Sequence, residues 1–439
     1  MIMKIITFFV IILIEVFMKV LWIVNAILPY PSKMLGIEKT VFGGWLLGLL
    51  DSLNKKKDVE IAIATTYDGK DFKRFYDGKN IYYLLPCENN IKYDSNLEQY
   101  WKQVNEDFKP DLVHLNGSEF AHGLSFLNAC HDVKSVLSIQ GLLTPYSEAF
   151  LLGISNKDIY SSLTFRDIVR FDNLKGQKRR LQKRTINEKE VLKKVDALIG
   201  RTQWDYEETF KIVGKDKYHK CNENLRDSFY HNDWDIKNVE RNTIFISQAS
   251  YPIKGFHEMI KALALVKNKI PSIKVYVAGC NILQQDTLMK KIKEQGYTRF
   301  LKKLIKKYNV SSNIEFTGLL SEEDMIKRML KCNLFVQASA MENSSNSLGE
   351  AMIMGMPIVA SNVGGTSTMI VNRKEGLLYK YLDTKSFARC IIDLLSNDKR
   401  AIELGKNAKK HALITHDREK NSNTMYNIYK KVLKMKKLN

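Results

Sequence analysis

Two glutamates eight positions apart, Glu342 and Glu350, are the residues of this 439-residue chain whose spacing indicates chemistry most directly. The apolar run 334–338 predicts a buried parallel strand before them, and the run 347–354, stopped by Gly355 and Pro357, predicts a helix around the second acid. At such a strand-to-helix junction, carboxylates can accept hydrogen bonds from sugar hydroxyls while free helix N–H groups face a phosphate. The alternative is a loop acid followed by a solvated helix acid. The small polar residues between the two glutamates favour a site for a nucleotide sugar.

Strand-like apolar runs alternate with helical segments along most of the chain, which predicts an α/β fold of doubly wound parallel sheets. A polar stretch without periodicity, 222–242, interrupts the alternation. The predicted segments are a leader (1–17), a first domain (18–225), a hinge (226–242), a second domain (243–416) and a final helix (417–439). The predicted strands are 19–25, 59–64, 81–85, 111–115, 135–139 and 197–200, then 243–248, 274–277, 314–317, 334–338, 357–360 and 375–379.

The stretch 342–365 resembles the donor-site signature of the retaining glycosyltransferases of family 4, which have the GT-B architecture. Lys254 and Gly255, after the first strand of the second domain, are similar to the family's diphosphate-contacting Lys-Gly pair. Gly43 and Gly44, after the first strand of the chain, are similar to the glycines that let backbone amides approach the donor phosphates. The resemblance implies two Rossmann-like domains facing across a cleft, the first binding the acceptor and the second the nucleotide sugar. It also implies that the final helix crosses back to the first domain.

The resemblance further implies roles for single residues. Glu342 would contact hydroxyls of the donor sugar, Glu350 the ribose, and Lys254 would stabilise the leaving diphosphate as a point charge. The implied donor-binding positions are Gly43, Gly44, Gln248, Lys254, Asn346, Ser347, Leu348 and Glu350. No Asp-x-Asp pair stands at a strand end, so we expect neither a metal nor a cofactor beside the donor, a UDP- or GDP-sugar.

Two positions depart from the family pattern. Gln248 stands where many members have an arginine as a second diphosphate contact, and Arg201 is a nearby cation that could compensate for the lost charge. In the first domain His114 is followed by Asn116, not by the second histidine that touches the donor sugar in the family. His122, at a predicted helix start, is the candidate to replace it, and a structural histidine is the alternative.

Gln140 and Gly141, at the end of a predicted strand, resemble the family's loop facing the acceptor. The resemblance implies retaining transfer of a hexosyl unit from a nucleoside-diphosphate sugar to a glycan or polyprenyl-linked acceptor in the synthesis of a cell-surface polysaccharide, such as capsule or exopolysaccharide. Two alternatives stay open. One is a GT-B module that binds nucleotide sugar or glycan without turnover, and the other is a sugar-nucleotide epimerase.

The net charge of +20 predicts an anionic partner. Residues 164–194 carry eleven Lys and Arg against four acids, and 289–307 carry eight against one. Both segments are predicted to be helices, the first with its apolar side at Ile168, Leu174, Leu181, Ile186 and Leu192. Basic helical faces fit an anionic membrane surface, and a merely solvated lysine-rich face is the alternative. No nucleic-acid-binding module accompanies the charge, which argues against nucleic acid.

The apolar run 5–14 is shorter than the roughly 20 residues needed to span a bilayer. It is either an over-extended start, with Met18 the true initiator, or a short hydrophobic anchor. The six cysteines are scattered without a Cys-x-x-Cys pair, which indicates reduced packing residues in a cytosolic protein. We therefore expect a cytoplasmic protein, peripheral on the inner face of the cytoplasmic membrane.

Overall fold

A computed structural model describes residues 17–37, 44–279 and 292–435, together with Asn281 and Thr287. The apolar run 5–14 and Gly43 lie outside the described residues. No helix among those described is long and apolar enough to cross a membrane.

The first of two sheets belongs to the N-terminal half of the chain. Its strands are β1 (Met18–Ile23), β2 (Val59–Tyr67), β3 (Lys73–Tyr76), β4 (Ile81–Pro86), β5 (Leu112–Asn116), β6 (Lys134–Ser138), β7 (Ala197–Gly200) and β8 (Tyr218–Lys220). Their order is β3-β4-β2-β1-β5-β6-β7-β8, and β3 alone of these pairs with its neighbour antiparallel. The strand direction is therefore parallel from β4 to β8.

Helices pack on both faces of this sheet, as expected for a doubly wound fold. The helices of this half of the chain are α1 (Pro29–Leu35), α2 (Gly44–Leu53), α3 (Leu97–Phe108), α4 (His122–Ala129), α5 (Leu143–Ala149), α6 (Asn156–Ser161), α7 (Phe165–Val169), α8 (Leu174–Lys194) and α9 (Gln203–Val213). Of these, α6 packs against the second domain. Separate apolar clusters fill the two sides of the sheet, one around Trp101 and Phe126 and the other around Trp22.

The second sheet is parallel throughout, in the order β11-β10-β9-β12-β13-β14. Its strands are β9 (Glu240–Ile246), β10 (Lys274–Ala278), β11 (Ile314–Gly318), β12 (Cys332–Gln337), β13 (Ile358–Ser361) and β14 (Leu377–Tyr379). The helices that follow them are α10 (Phe256–Lys269), α11 (Gly296–Tyr308), α12 (Glu322–Lys331), α13 (Asn346–Ile353), α14 (Thr366–Met369), α15 (Thr384–Ser396), α16 (Asp398–Thr415) and α17 (Arg418–Lys434).

The prediction of two Rossmann-like α/β domains with doubly wound sheets is confirmed. The antiparallel edge strand β3 was not predicted, because its residues are alternately half-buried and exposed and do not form an apolar run. In both sheets the strand order reverses next to a central strand, between β1 and β5 and between β9 and β12. Loops at the carboxyl ends of the strands diverge at such a reversal and leave a crevice.

The basic segment 164–194 differs from its predicted single apolar face. Leu174 and Leu192 are buried, but Ile168 and Ile186 are exposed. Ile168 is exposed because it lies in the separate helix α7, so the helical periodicity does not run through the turn before α8. Ile186 is exposed because, at 3.6 residues per turn, it lies about 120° around α8 from the face that Leu174 and Leu192 share.

The last helix, α17, packs against α2 and β6 of the first domain. Tyr429 lies at the centre of this contact and is fully buried. Its hydroxyl accepts a hydrogen bond from Trp22 Nε1 at 3.2 Å and lies 2.6 Å from His114 Nδ1, and His114 Nε2 lies 2.7 Å from Ser138 Oγ. Burial lowers the pKa of His114 to about 3, so the ring is neutral. This polar chain ties α17 to β1, β5 and β6.

We expect Tyr429→Phe to lower the free energy of unfolding by about 1–3 kcal/mol, because the Trp22 N–H and a His114 nitrogen then lie in the core without a polar partner. Urea denaturation followed by tryptophan fluorescence measures the loss. Tyr426→Phe on the same helix is the matched control, since its hydroxyl bonds to Asp58 in a half-buried setting. An equal loss in both variants would contradict the importance of the buried chain.

Candidate active site

A tight turn fixes Lys254 at the carboxyl end of β9. Pro252–Lys254 form a single turn of 3-10 helix, and Gly255 follows with φ +66°. A Cβ atom at Gly255 would lie 1.8 Å from the backbone oxygen of Ala338, at the end of β12. Only glycine allows this approach. The turn therefore packs directly on the strand that leads to Glu342.

Lys254 and Glu342 form an ion pair, with Nζ 2.7 Å from Oε1. The hydroxyl of Ser339 donates to the same oxygen at 2.6 Å. Burial alone lowers the pKa of Lys254, but the charge of Glu342 outweighs burial and raises the pKa above its ordinary value. Lys254 is therefore a cation at the edge of the second sheet, with its charge matched by a buried carboxylate.

The second glutamate of the motif has a cation of its own. Arg226 donates from Nε to Glu350 Oε1 at 2.6 Å and from a terminal nitrogen to Oε2 at 2.8 Å. Burial raises the pKa of Glu350, and Arg226 opposes that rise. The guanidinium lies 4.5 Å above the ring of Phe229. A Cβ at Gly44 would lie 2.9 Å from the Arg226 side chain, so the start of α2 packs on this arginine.

The N-terminus of α13 lies between the two ion pairs in the chain. Ser345 caps the helix, accepting from the N–H of Leu348 at 3.3 Å, and the hydroxyls of Ser347 and Ser247 lie 3.1 Å apart. The first-turn N–H groups have no acceptor within an α-helix and carry the positive end of its dipole. This end of α13 is suited to an anion.

These groups line one open cleft between the two domains, with a cavity volume of about 390 Å³. That volume lies within the range of roughly 300–1,000 Å³ that is typical of small-molecule and cofactor sites. The lining residues are Trp45, Gln140, Leu225, Arg226, Ser247, Gln248, Lys254, Met325, Glu342, Ser344, Ser345, Asn346, Ser347 and Glu350.

Most of the donor-side residues singled out in the sequence thus lie together: Gln248, Lys254, Glu342, Asn346, Ser347 and Glu350 all line the cleft, with Gln140 from the first domain. Leu348 is buried and contributes only its N–H, which Ser345 accepts. Gly44 borders the cleft through Arg226. In the ranges that the structure describes, no group of three or more His, Cys, Asp or Glu side chains could hold a metal ion.

Arg201 lies elsewhere. It is buried, forms an ion pair with Glu223, and donates to the backbone oxygens of Ile139 at 2.7 Å and Gln140 at 3.2 Å. It lines two smaller cavities beside the cleft and is not among the residues that line the cleft itself. Arg226 is the arginine in the cleft lining. Sequence reasoning missed it, because it lies in a polar stretch with no periodicity and its partner is 124 positions away.

His122 begins α4, as predicted, but its side chain is buried in the first domain and does not line the cleft in the described part of the chain. Burial lowers the pKa of His122 to about 4. Its ring lies 6.1 Å from that of Phe120. This placement leaves the predicted contact with a donor sugar without support.

A carboxylate that sequence reasoning passed over, Glu119, lies at the carboxyl ends of β1, β5 and β6. It accepts from the N–H of Gly141 at 3.0 Å and from Asn25 Nδ2 at 3.2 Å. Burial, aided by the nearby charge of Glu188, raises the pKa of Glu119 to about 7. It stands in the same short segment as His122, so the signal was present in the sequence. Gly141 is thereby held by a carboxylate of the first domain.

Asn343, next to Glu342 in the chain, joins the two domains. Its Oδ1 accepts from the Thr202 hydroxyl at 2.9 Å, and its N–H donates to the Tyr146 hydroxyl at 3.2 Å. A Cβ atom at Gly365 would lie 2.1 Å from the backbone oxygen of Asn343, so the loop after β13 also packs against this residue. The backbone that carries Glu342 is therefore held from three sides.

Comparison with known proteins agrees with this geometry. Residues 229–411 match the family model described as Glycosyl transferases group 1. The D-inositol 3-phosphate glycosyltransferase of Corynebacterium urealyticum is 24% identical over 160 residues, 36% of this chain and 36% of that protein. The chain spans less than half the length of the first three curated relatives it matches, at 45%, 36% and 48%.

Two solved structures cover nearly the whole fold. Sucrose-phosphate synthase from Thermosynechococcus elongatus has a TM-score of 0.67 at 15% identity, covering 94% of this chain and 99% of its own. Anabaena Alr3699/HepE in complex with UDP-glucose has a TM-score of 0.63 at 15% identity, covering 94% and 100%. The architecture is the GT-B fold. Residues 229–411, most of which belong to the second domain, are thus similar to the glycosyl transferases group 1 family.

We expect Gly255→Ala to destabilise the second domain by more than about 3 kcal/mol, because the new methyl group meets the Ala338 carbonyl and the residue keeps a positive φ. Gly214→Ala is the matched control. Its φ is +71° and nothing lies within 4 Å of its added Cβ, so only the backbone strain of about 1 kcal/mol remains. Thermal unfolding of both variants distinguishes them, and equal losses would mean that the close approach to Ala338 is unimportant.

Proposed function

We propose that this protein is a retaining glycosyltransferase that moves a hexosyl unit from a UDP- or GDP-sugar to a glycan or polyprenyl-linked acceptor. The convergence of Lys254, Arg226 and the N-terminus of α13 in one cleft, beside two buried glutamates, is the observation that carries the proposal. Breaking an anomeric C–O bond develops negative charge on the leaving diphosphate and positive charge on the sugar. The cleft has groups of the right sign for both.

The cations would act on the diphosphate. In the ligand-free cleft each is neutralised by a glutamate, so an incoming diphosphate competes with Glu342 for Lys254 and with Glu350 for Arg226. The first-turn N–H groups of α13 add positive potential without a charge to neutralise. In this proposal Arg226, not Arg201, supplies the positive charge that is lost because position 248 is a neutral glutamine. No metal is needed in this scheme, because these three groups supply the charge that favours the leaving group.

The glutamates would act on the sugar and the ribose once the diphosphate has drawn their cations away. A freed carboxylate is a strong acceptor for hydroxyl hydrogen bonds. Glu342, at the end of β12, would then hold hydroxyls of the transferred sugar, and Glu350 those of the ribose. On the facing domain, Gln140, Gly141 and Glu119 would bind the acceptor. No protein group is assigned as general base, since the leaving phosphate can take the proton of the acceptor hydroxyl.

The relatives support the donor class and the setting. A structural neighbour binds UDP-glucose, and curated relatives include a D-inositol 3-phosphate glycosyltransferase and the capsule-named Protein CapJ of Staphylococcus aureus. We therefore propose a role in the synthesis of a cell-surface polysaccharide, at the inner face of the cytoplasmic membrane. Partner molecules are a nucleotide sugar, the acceptor and anionic lipid, not nucleic acid.

A ligand screen with the purified protein tests the donor. Thermal unfolding is measured with UDP, GDP, ADP and their sugars, and a ligand at about 100 times its dissociation constant stabilises by about 2.7 kcal/mol. Hydrolysis of the stabilising sugar nucleotide then reports turnover. Stabilisation without any turnover would favour a binding module, and conversion to an epimeric sugar nucleotide would favour an epimerase.

We expect Lys254→Ala to lower turnover about 100- to 1000-fold, because it removes the cation aimed at the departing diphosphate. Lys261→Ala is the control, since Lys261 makes an ion pair of the same 2.7 Å length with Glu258 but lies outside the cleft lining. Steady-state kinetics on folded protein measure both. Near-normal activity of the Lys254 variant would refute the assignment.

We expect Glu342→Gln to lower kcat and Glu350→Gln to raise the KM for donor, because one carboxylate faces the reacting sugar and the other the ribose. Both substitutions keep shape and hydrogen-bonding capacity but remove a charge. The separation of kcat from KM is the measured quantity. A change confined to donor KM in both variants would show that the two roles are not divided in this way.

A further inference from the structure

Four large apolar side chains are exposed to solvent in the seven-residue segment 165–171, which contains α7 and lies between α6 and α8. Phe165 is 66% exposed, Ile168 62%, Val169 58% and Phe171 87%. Single exposed apolar residues are common on protein surfaces, but a cluster marks a contact surface. We call residues 165–171 the apolar turn.

The apolar turn is held in place by polar contacts at its base. Thr164 caps α7 by accepting from the N–H of Asp167 at 3.1 Å, and the buried Asp167 carboxylate accepts from the N–H of Thr164 at 3.1 Å. Arg166 donates to Asp172 at 3.0 Å, across the turn. Phe171 has φ +50°, an unfavourable conformation for a bulky residue. These hydrogen bonds hold the backbone of the apolar turn in one conformation, strained at Phe171, with the four apolar side chains exposed to solvent.

The apolar turn lies where the two basic segments of the sequence meet. From the second domain, Arg299 and Lys303 on α11 donate to the backbone oxygens of Leu163 and Ser161. The same helix carries the exposed Lys306 and Lys307 at its C-terminal end. Cations of α11 therefore contact the backbone immediately before the apolar turn.

The cations of the first domain divide into two groups. Arg184 is half-buried and donates to the backbone oxygen of Glu119, and Arg180 pairs with Asp172, so both support the structure locally. Arg170, Arg179 and Lys183 are exposed beside the apolar turn in the chain. An apolar cluster bordered by cations complements an anionic bilayer, whose headgroups attract the charges and whose acyl boundary accepts the apolar side chains. It does not complement a second copy of itself, because the borders repel.

We propose that the apolar turn inserts into the interface of an anionic membrane, with Arg170, Arg179 and Lys183 on the lipid headgroups. This deepens the membrane location given in the proposed function by naming the surface responsible, and it does not depend on the transferase chemistry. Each insertion contact is apolar and resists salt, whereas the headgroup contacts weaken as salt screens them over about 8 Å at physiological ionic strength.

Vesicle flotation with the full chain tests the proposal. The protein should bind vesicles containing phosphatidylglycerol and should bind pure phosphatidylcholine vesicles at least about tenfold more weakly. Replacing Phe165, Ile168, Val169 and Phe171 together by Ser should reduce binding to the anionic vesicles at least about tenfold, also in high salt. The control Tyr76→Ser with Ile414→Ser removes side chains that are 56% and 66% exposed elsewhere and should bind normally.

Two further variants keep the test independent of folding and of catalysis. Phe171→Trp should show a blue-shifted emission on anionic vesicles, and an unshifted emission would overturn insertion. Replacing Arg170, Arg179 and Lys183 by Gln should remove most of the salt-sensitive part of binding. Hydrolysis of soluble donor should be unchanged in all of these variants, so that a failure here is distinct from a failure of the proposed function. If the quadruple Ser variant instead turns a dimer into a monomer in light scattering, the surface is a self-association face and the membrane proposal is wrong.

Discussion

A buried carboxylate is stable only with a partner for its charge, and this cleft contains two such carboxylates on one short segment. Each takes its cation from a different part of the chain: Glu342 from the turn after β9, and Glu350 from the connection between the domains. The pairing fixes the loops around the cleft before any ligand is present. Separating either cation from its glutamate without a replacement costs free energy, because it leaves a buried carboxylate without a charge partner.

An anionic ligand can replace the glutamates as the charge partner of the two cations, whereas a neutral ligand cannot. In the function proposed above, a diphosphate would take over Lys254 and Arg226 while sugar and ribose hydroxyls would satisfy the released glutamates. The site would then exchange one set of compensated charges for another without leaving any charge unpaired. The spacing of the two glutamates across a strand-to-helix junction would allow both exchanges to occur along a single ligand.

The sequence was sufficient for the parts of this arrangement that depend on local order. The central strands β12 and β13 of the second sheet are buried along their whole length and so appear as apolar runs. Lys254 and Glu342 lie in the loops that follow β9 and β12. Arg226 was not predictable as a site residue, because nothing in its neighbourhood is periodic and its partner lies far along the chain. His122 was predicted as a site residue for its chemistry and Glu119 was not considered. The burial of the His122 side chain is a property of the folded domain and is not visible in the local sequence. The surface exposure of Ile168 was missed because a helix break at 170–173 shifts the face that its apolar neighbours share.

The position of Asn343 has a mechanical consequence. This residue bonds to Thr202 and Tyr146 of the facing domain, and its neighbour in the chain is Glu342. Any rotation of the domains that widens the cleft must stretch or break these hydrogen bonds. Because Asn343 follows Glu342 in the chain, the displacement acts next to the carboxylate that pairs with Lys254. The separation of the two domains and the geometry of the Lys254–Glu342 ion pair are therefore mechanically coupled through two adjacent residues of the chain.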